Sequence, residues 1–458
     1  MAVQRRASLL KILGLWFGLA VTVGNAIGGG ILRTPGDIAS WLPNPWLFVG
    51  IWIIGACYAL LGANALSELG TMLPKSGGQY VFARHAFGDY TGFLVGWVDW
   101  ISTSASIGAI SLVLAESIAS VTSLAPSAAS PIAMSIVVVF TILLIRGTRL
   151  GDFAQRVTSL AKALALLALV VACFLFAGRS QVPVEPAAVA PTMSGFVAFL
   201  LAAQAVIYAY DGWSGPIYFS EELDDPGREI PRSMFYGLLS IGAIYLLINI
   251  AFVVALPPSA LAGSPLAAAT VASALFGDRG ELLVRLVVIA SLPSAVNACL
   301  LMGSRVLYSV SRDGLGLSFA TQVNTRGTPV ASLIATGVVA LAFLATGTFN
   351  TLIAIAAFFF VAAYTLSFVA VFLLRKREPN AHRPYRAVGH PWTTGFVLLG
   401  SLAFLTSSVV AGLTSSDRAD RMNILYALGI LVVSYPVFAL TRRRTVPDPS
   451  VDQYLSNK

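Results

Sequence analysis

Apolar runs of about 20 residues recur along the whole chain, each closed by Gly, Pro or charged positions, and that length matches a hydrocarbon layer about 30 Å thick. Such runs lie near 9–33, 46–69, 90–117, 130–146, 153–178, 194–219, 233–256, 281–311, 329–346, 349–375, 393–413 and 422–441. They predict an all-α integral membrane protein with twelve transmembrane helices, because a spanning segment must satisfy its own backbone. Basic residues ahead of the first run (Arg5, Arg6, Lys11) resemble the start of a cleaved leader. The run is longer than a leader's and no small-residue cleavage site follows, so it reads as the first membrane helix.

Composition narrows the classes. Of 458 residues, 57% are hydrophobic and 11% charged, against about 25% charged in soluble domains, and mean hydropathy is +0.81. A chain so poor in charge cannot cover its own surface in water, which excludes a soluble enzyme, a nucleic-acid binder and a disordered protein. The net charge of +8 is then a topology signal. With the N-terminus inside, Lys and Arg on the cytoplasmic side, including Arg375, Lys376, Arg377, Arg383, Arg386 and Arg442–Arg444, outnumber those outside by about four to one. Both termini are expected in the cytoplasm. Cys57, Cys173 and Cys299 all lie in apolar runs without metal-ligand spacing, and they read as small buried side chains. Neither a metal site nor a cofactor is expected.

Two spans carry interruptions. Gly24-Asn25-Ala26-Ile27-Gly28-Gly29-Gly30 places four glycines in seven residues of the first, each costing about 1 kcal/mol of helix stability. In the sixth, Tyr208-Ala209-Tyr210-Asp211-Gly212-Trp213-Ser214-Gly215-Pro216 has the same character, with Pro216 lacking an N–H. Either alone could be a kink or a small-residue packing face. Together they fall five spans apart, and a five-helix unit begins on the opposite side of the bilayer at its second occurrence. The prediction is an inverted repeat over 9–178 and 194–375, followed by two further helices over 393–441. Paired interruptions mark a binding site at the midplane. The N–H groups at one half-helix N-terminus suit a carboxylate, and carbonyls at another's C-terminus suit an ammonium. A small zwitterion carries both.

At this point the chain resembles a known family, the amino acid–polyamine–organocation permeases, most closely their L-amino-acid-transporter-like branch. Four passages carry the likeness: GNAIGGGIL (24–32), PKSGGQYVFARHAFG (74–88), AYDGWSGPIYFSEELDDPGREIPRSM (209–234) and GSRVLYSVSRDGLGLSFATQVNTRGTPV (303–330). The resemblance implies a leucine-transporter-like five-plus-five inverted repeat with helices 1 and 6 unwound, and alternating access of an amino acid. It implies that backbone N–H groups around Gly28, Gly29 and Gly30 take the substrate carboxylate, and that carbonyls near Ala26, Tyr208, Ala209 and Asp211 take the ammonium. Tyr208 stands where relatives carry an aromatic outer gate. Many relatives have Ser at the middle of the glycine triplet; Gly29 stands there, so carboxylate binding would rest on main chain and Asn25. Ser214 occupies a position that is acidic in some cation-selective relatives, which favours neutral substrates. A cationic amino acid or polyamine carrier of the same fold is the alternative.

Isolated charges add candidates. Lys162 sits about 14 Å into span five counted from Phe153 at 1.5 Å per residue, where a charge costs from about 3 to above 10 kcal/mol. Counted from Arg156 it could snorkel to headgroups instead. The resemblance implies that this lysine stands in for a sodium ion and braces span five against the first helix, hence sodium-independent transport. Asp211 and Asp99 have two readings each, proton relay or substrate contact against capping of exposed N–H groups, and for Asp99 the structural reading leads. Glu221, Glu222, Asp224, Asp225 and Glu229 read as a solvated acidic run or, by the resemblance, as a brace of the inner gate with Arg305 or Arg312. Phe358, Phe359 and Phe360 read as packing.

A channel would show a ring of pore-lining charge, which the chain lacks. His85, His382 and His390 belong to no HExxH pair or Ser-His-Asp set, against a membrane enzyme. Animal relatives join a glycoprotein subunit through an outer-loop cysteine; the loop near 118–130 has none, and the chain holds no N-x-[ST] acceptor. The expectation is a stand-alone amino acid carrier, either an obligatory exchanger or a proton-linked symporter, multi-pass in the bacterial cytoplasmic membrane, whose partners are its small-molecule substrate and the lipid bilayer, with no nucleic acid and no disulfide-linked ancillary subunit.

Overall fold

The computed structural model describes residues 14–146, 148–176, 195–346, 349–415 and 418–442, and the surroundings of Gly29 and the side chains of 148–159, 349–350 and 418–420 are outside that description. The terminal basic residues used for topology (Arg5, Arg6, Lys11, Arg443, Arg444) therefore lie outside the described residues.

Every regular element among them is helical. The chain starts with α1 (Leu15–Ala26) and α2 (Gly29–Trp41), which together occupy the first apolar run and extend it to Trp41, past the expected limit near 33. Arg33, Pro35 and Asp37, which mark the end of the run by hydropathy, lie inside α2. Asn44 caps α3 (Pro45–Met72), its side chain accepting from Trp46 and Leu47 N–H at 2.9 and 3.3 Å. Pro45 at the first helical position costs nothing there, since its missing N–H would be an orphan anyway. Next come α4 (Gln79–Phe87), α5 (Asp89–Val121), α6 (Ala129–Ile145), α7 (Thr148–Phe176) and α8 (Gly195–Tyr210). After a 3₁₀ segment at Gly215–Glu222 come α9 (Pro226–Ala255), the short α10 (Pro258–Leu261) and α11 (Ala267–Phe276), and α12 (Asp278–Arg312). The chain closes with α13 (Val330–Thr346), α14 (Phe349–Arg377), α15 (Trp392–Thr414) and α16 (Arg418–Thr441).

Among the described residues, ten helical stretches are long and apolar enough to cross a membrane, α1–α2 together being one. The described apolar parts of α7 and α13, Leu160–Phe176 and Val330–Thr346, are shorter.

The outside of the bundle is apolar and the inside carries the polar groups, as hydrocarbon surroundings demand. On α7, Leu160, Leu164, Val171 and Leu175 form an exposed stripe, and Trp392, Phe396 and Leu399 do the same on α15. Asn64, Glu68, Asp99, Lys162, Glu222 and Arg305 are buried. Cys57 departs from the expectation of burial: it is exposed on α3, beside exposed Ile53 and Ile54, whereas Cys173 and Cys299 are buried. An apolar run does not tell a lipid-facing side chain from a helix-facing one, which explains the miss.

At the centre, α5 packs against α12, α14, α13 and α6, while α1 lies on α9, α7 and α12, and α2 on α8. Ion pairs between elements cluster at one end of this bundle. Glu68 of α3, 1% exposed, accepts Arg375 at 2.9 and 2.5 Å, the main-chain N–H of Ala387 at 2.7 Å, and lies 3.2 Å from Arg383. Asn64, one turn earlier, holds Val388 by both its main-chain groups, at 2.8 and 2.9 Å, and accepts Tyr385 at 2.7 Å. These two side chains fasten the segment between α14 and α15 to α3.

Removing one partner of a buried charge cluster leaves the other charge unpaired, at a cost of about 3–5 kcal/mol. Glu68→Gln is therefore expected to lower the melting temperature of the purified protein clearly, whereas Glu378→Gln, in the half-exposed pair with His85, changes it little. Equal melting temperatures for Glu68→Gln and the unaltered protein would refute the clamp.

Candidate functional site

The first helix stops in mid-bundle for a local reason. The N–H of Ile27 closes the last turn of α1 on Val23 O at 2.9 Å. Ile27 then takes φ −72° and ψ 76°, and Gly28 N–H returns to Ala26 O at 2.7 Å. This is an inverse γ-turn. Gly28 is extended and α2 begins at Gly29. Without a side chain, Gly28 cannot cap the first N–H groups of α2, which have no partner inside their own helix.

The carbonyls left at the end of α1 are met by side chains from two other helices. Lys162 of α7, 2% exposed, donates its Nζ to Gly24 O at 2.9 Å and Ile27 O at 2.7 Å. A cation at a helix C-terminus also complements the dipole of the helix. Tyr245 of α9 donates its hydroxyl to Ala26 O at 2.6 Å and Ala209 O at 3.0 Å, so one proton is shared between the ends of α1 and α8.

The second break follows Tyr210. Asp211 N–H is shared between Ile207 O and Tyr208 O at 3.0 and 3.1 Å. Gly212 takes φ +103°, and a Cβ there would lie 2.6 Å from Asn25 Nδ2, so this position needs glycine for both conformation and space. The 3₁₀ turn then starts at Gly215. Asp211 accepts the Tyr364 hydroxyl at 2.5 Å, and Trp213 stacks on Tyr364 with ring centroids 5.0 Å apart. The two interrupted segments touch: a Cβ on Gly30 would lie 2.8 Å from Ala209 Cα.

Where they meet there is a small cavity, about 30 Å³. The first break contributes Asn25, Ala26, Gly28 and Gly30 to its wall, and the second contributes Tyr208, Ala209 and Asp211. The N-terminus of α2 and the C-terminus of α8 thus offer donors and acceptors side by side. Of the other sequence-derived candidates, Gly29 is the first residue of α2, and its surroundings lie outside the description. Ser214 is buried behind the wall, its hydroxyl 3.3 Å from Tyr364. Lys162 bonds the end of α1 but does not line the cavity. The carbonyls named for an ammonium already have partners: Ala26 O has Tyr245 and Gly28, Ala209 O has Tyr245, and Tyr208 O has Asp211. Ala26 O is thereby filled, and Asp211's carboxylate and the second lone pairs of Tyr208 O and Ala209 O are the acceptors that remain.

Several wall residues escaped the sequence reading. These are Thr103, Ser106 and Ile110 of α5, Cys299 and Met302 of α12, and Phe360 of α14. Phe360, read as packing, faces the cavity, while Phe358 and Phe359 contact each other at 5.7 Å between centroids. Cys299, read as a small apolar filler, donates its thiol to Asn25 Oδ1 at 3.1 Å. The spacing 103, 106, 110 is one face of a helix and is the signal that was available. Nothing comparable singles out Tyr245.

Asp99 is fully buried but outside the cavity wall, both oxygens 2.9 Å from the Tyr218 hydroxyl. Glu222 forms a buried two-point pair with Arg305, at 2.8 and 3.1 Å, and the guanidinium lies 5.0 Å from the centroid of Phe219. Arg312 pairs with Glu221 at 2.9 Å. At the other end, Arg33 of α2 pairs with Glu116 of α5 at 2.9 Å.

A side chain at position 212 would meet both a strained backbone, about 1–3 kcal/mol, and Asn25. Gly212→Ala is expected to lower the melting temperature measurably, while Gly50→Ala, where an added Cβ meets nothing within 4 Å among the described residues, leaves it near that of the unaltered protein. Indistinguishable melting for both variants would contradict the close approach.

Proteins of similar sequence are amino acid transporters. The family model described as "Amino acid permease" matches residues 13–434. The serine/threonine exchanger SteT of Bacillus subtilis (strain 168) is 29% identical over 433 residues, covering 93% of this chain and 97% of the relative. The b(0,+)-type amino acid transporter 1 of Mus musculus is 28% identical over 392 residues, covering 83% of this chain and 80% of the relative. The Asc-type amino acid transporter 1 of the same species is 28% identical over 393 residues, covering 84% and 74%. These relatives are transporters, not enzymes. With a family model matching nearly its whole length, the chain belongs to the amino acid permeases of the amino acid–polyamine–organocation superfamily, and is a multi-pass membrane transporter by that membership.

Proposed function

We propose that this protein carries a neutral L-amino acid across the bacterial cytoplasmic membrane by alternating access, in sodium-independent exchange. The observation that carries the reading is the cavity where two interrupted segments meet, with helix N–H groups on one wall and carbonyls and Asp211 on the other. A zwitterion satisfies both walls at once; a simple anion or cation satisfies one. Exchange is favoured by the relative named as a serine/threonine exchanger.

In this reading the twelve apolar segments span the bilayer as a five-plus-five inverted repeat, 9–178 and 194–375, with 393–441 added and both termini cytoplasmic. Gly28, Gly29, Gly30 and Asn25 take the carboxylate, and Tyr208, Ala209 and Asp211 the ammonium, with Tyr208 closing the outer side. Ser214 acts through Tyr364. Lys162 does the work of a sodium ion: its two hydrogen bonds to the end of α1 supply the positive charge that a bound cation would otherwise bring. The Glu222–Arg305 and Glu221–Arg312 pairs close the cytoplasmic side. The protein works without a disulfide-linked ancillary subunit.

The test is uptake of radiolabelled amino acid into proteoliposomes. Saturable uptake is expected, accelerated by amino acid inside, insensitive to replacing sodium with potassium, and without demand for a pH gradient. A hydrogen bond to a charged group contributes about 1.5–3 kcal/mol, so Lys162→Ala is expected to lose about tenfold or more of the rate. Dependence on sodium, absence of trans-stimulation, or full activity in Lys162→Ala would each overturn the corresponding element of the proposal.

A further inference from the structure

The part of the cavity wall that the two helix ends do not supply carries polar groups with nothing to bond. Thr103 and Ser106 are 2% and 5% exposed, both line the cavity, and neither hydroxyl has a hydrogen-bond partner. Among the described residues four buried hydroxyls lack a partner, these two with Ser111 and Ser311, and only Thr103 and Ser106 border the cavity. Their neighbours behave differently. Ser102 closes on Asp99 O at 2.9 Å, Ser104 on Trp100 O at 2.8 Å and Ser117 on Val113 O at 3.0 Å, the usual way a helix absorbs a buried hydroxyl. Buried polar groups in native proteins are nearly always bonded, and an exception calls for an explanation.

We propose that Thr103 and Ser106 form the subsite for the substrate side chain and select a small amino acid with a hydroxyl on its β-carbon over the apolar isostere. This rests on the carrier reading above, in which the helix ends hold the carboxylate and ammonium and so turn the side chain toward the remaining wall. Residues three apart on a helix hold their Cβ atoms about 5–6 Å from each other, so a single oxygen between them reaches both hydroxyls. A hydroxyl donates to one and accepts from the other. A methyl group in its place leaves both unpaired in a dry site, which is why a site that bonds a substrate hydroxyl discriminates more sharply than a pocket that only measures size. Ile110, Met302 and Phe360 complete the wall with apolar surface.

The experiment compares initial uptake of labelled threonine and labelled valine, equal in shape and different in the hydroxyl, into liposomes containing the full chain. The unaltered protein is expected to favour threonine by about tenfold or more in uptake efficiency. In the double variant Thr103→Val, Ser106→Ala that ratio is expected to fall toward one, mainly through loss of threonine uptake, and Thr103→Ser to retain it. A purely structural role would lower both substrates together and leave the ratio unchanged, which refutes the subsite. A ratio near one in the unaltered protein refutes it without any variant, and leaves the carrier reading standing as long as both amino acids enter. Uptake of neither threonine nor valine nor any other amino acid overturns the carrier reading and the subsite with it.

Discussion

A helix that ends inside a bilayer leaves carbonyls with no water to bond, and the rest of this structure depends on how that is resolved. Lys162 and Tyr245 reach the end of α1 from α7 and α9 and satisfy Gly24, Ala26 and Ile27. Because those groups are met, α1 can stop, the chain can turn at Ile27, and α2 can start afresh with its uncapped N–H groups beside the cavity. The same Tyr245 hydroxyl ties the end of α8 to the end of α1. Two breaks in separate segments thereby become one site.

Each half-helix beyond its break is anchored to the central helices by charge. Arg33 ties α2 to Glu116 of α5, and Glu222 ties the 3₁₀ segment to Arg305 of α12. The two pairs differ in setting: Glu222 and Arg305 are almost wholly buried, whereas Glu116 is 41% exposed. An exposed pair contributes little and is screened by salt, while opening a buried one strands charge in an apolar interior. Buried charge therefore fastens the end of the molecule that holds Glu222 and Glu68, whereas the Arg33–Glu116 pair reaches the surface through Glu116.

How far the chain could be read in advance follows from what pattern encodes. Long apolar runs, the two Gly-rich interruptions and the solitary Lys162 stand out because each violates or satisfies a strong rule about backbone in hydrocarbon. Asn25, Ala26, Gly28, Gly30, Tyr208, Ala209 and Asp211 come together at the cavity because all seven belong to the breaks themselves. Thr103, Ser106, Met302, Phe360 and Tyr245 sit in unbroken helices, where a hydroxyl or an aromatic ring looks the same whether it faces a cavity, a neighbour or lipid. Cys57 and Cys299 illustrate both errors, one exposed and the other bonded to Asn25.

What the amino-acid order settled by itself was local and energetic: which stretches are apolar enough to be helices in a membrane, and where glycines make continuing a helix too costly. Only the folded bundle decided which faces meet. Side-chain partners separated by more than a hundred residues, such as Lys162 with Gly24 or Tyr218 with Asp99, depend on crossing angles and rotations that many sequence patterns allow equally. The cavity wall from α5, α12 and α14 is of this kind, since it is set by how whole helices rotate against one another and not by any motif along them.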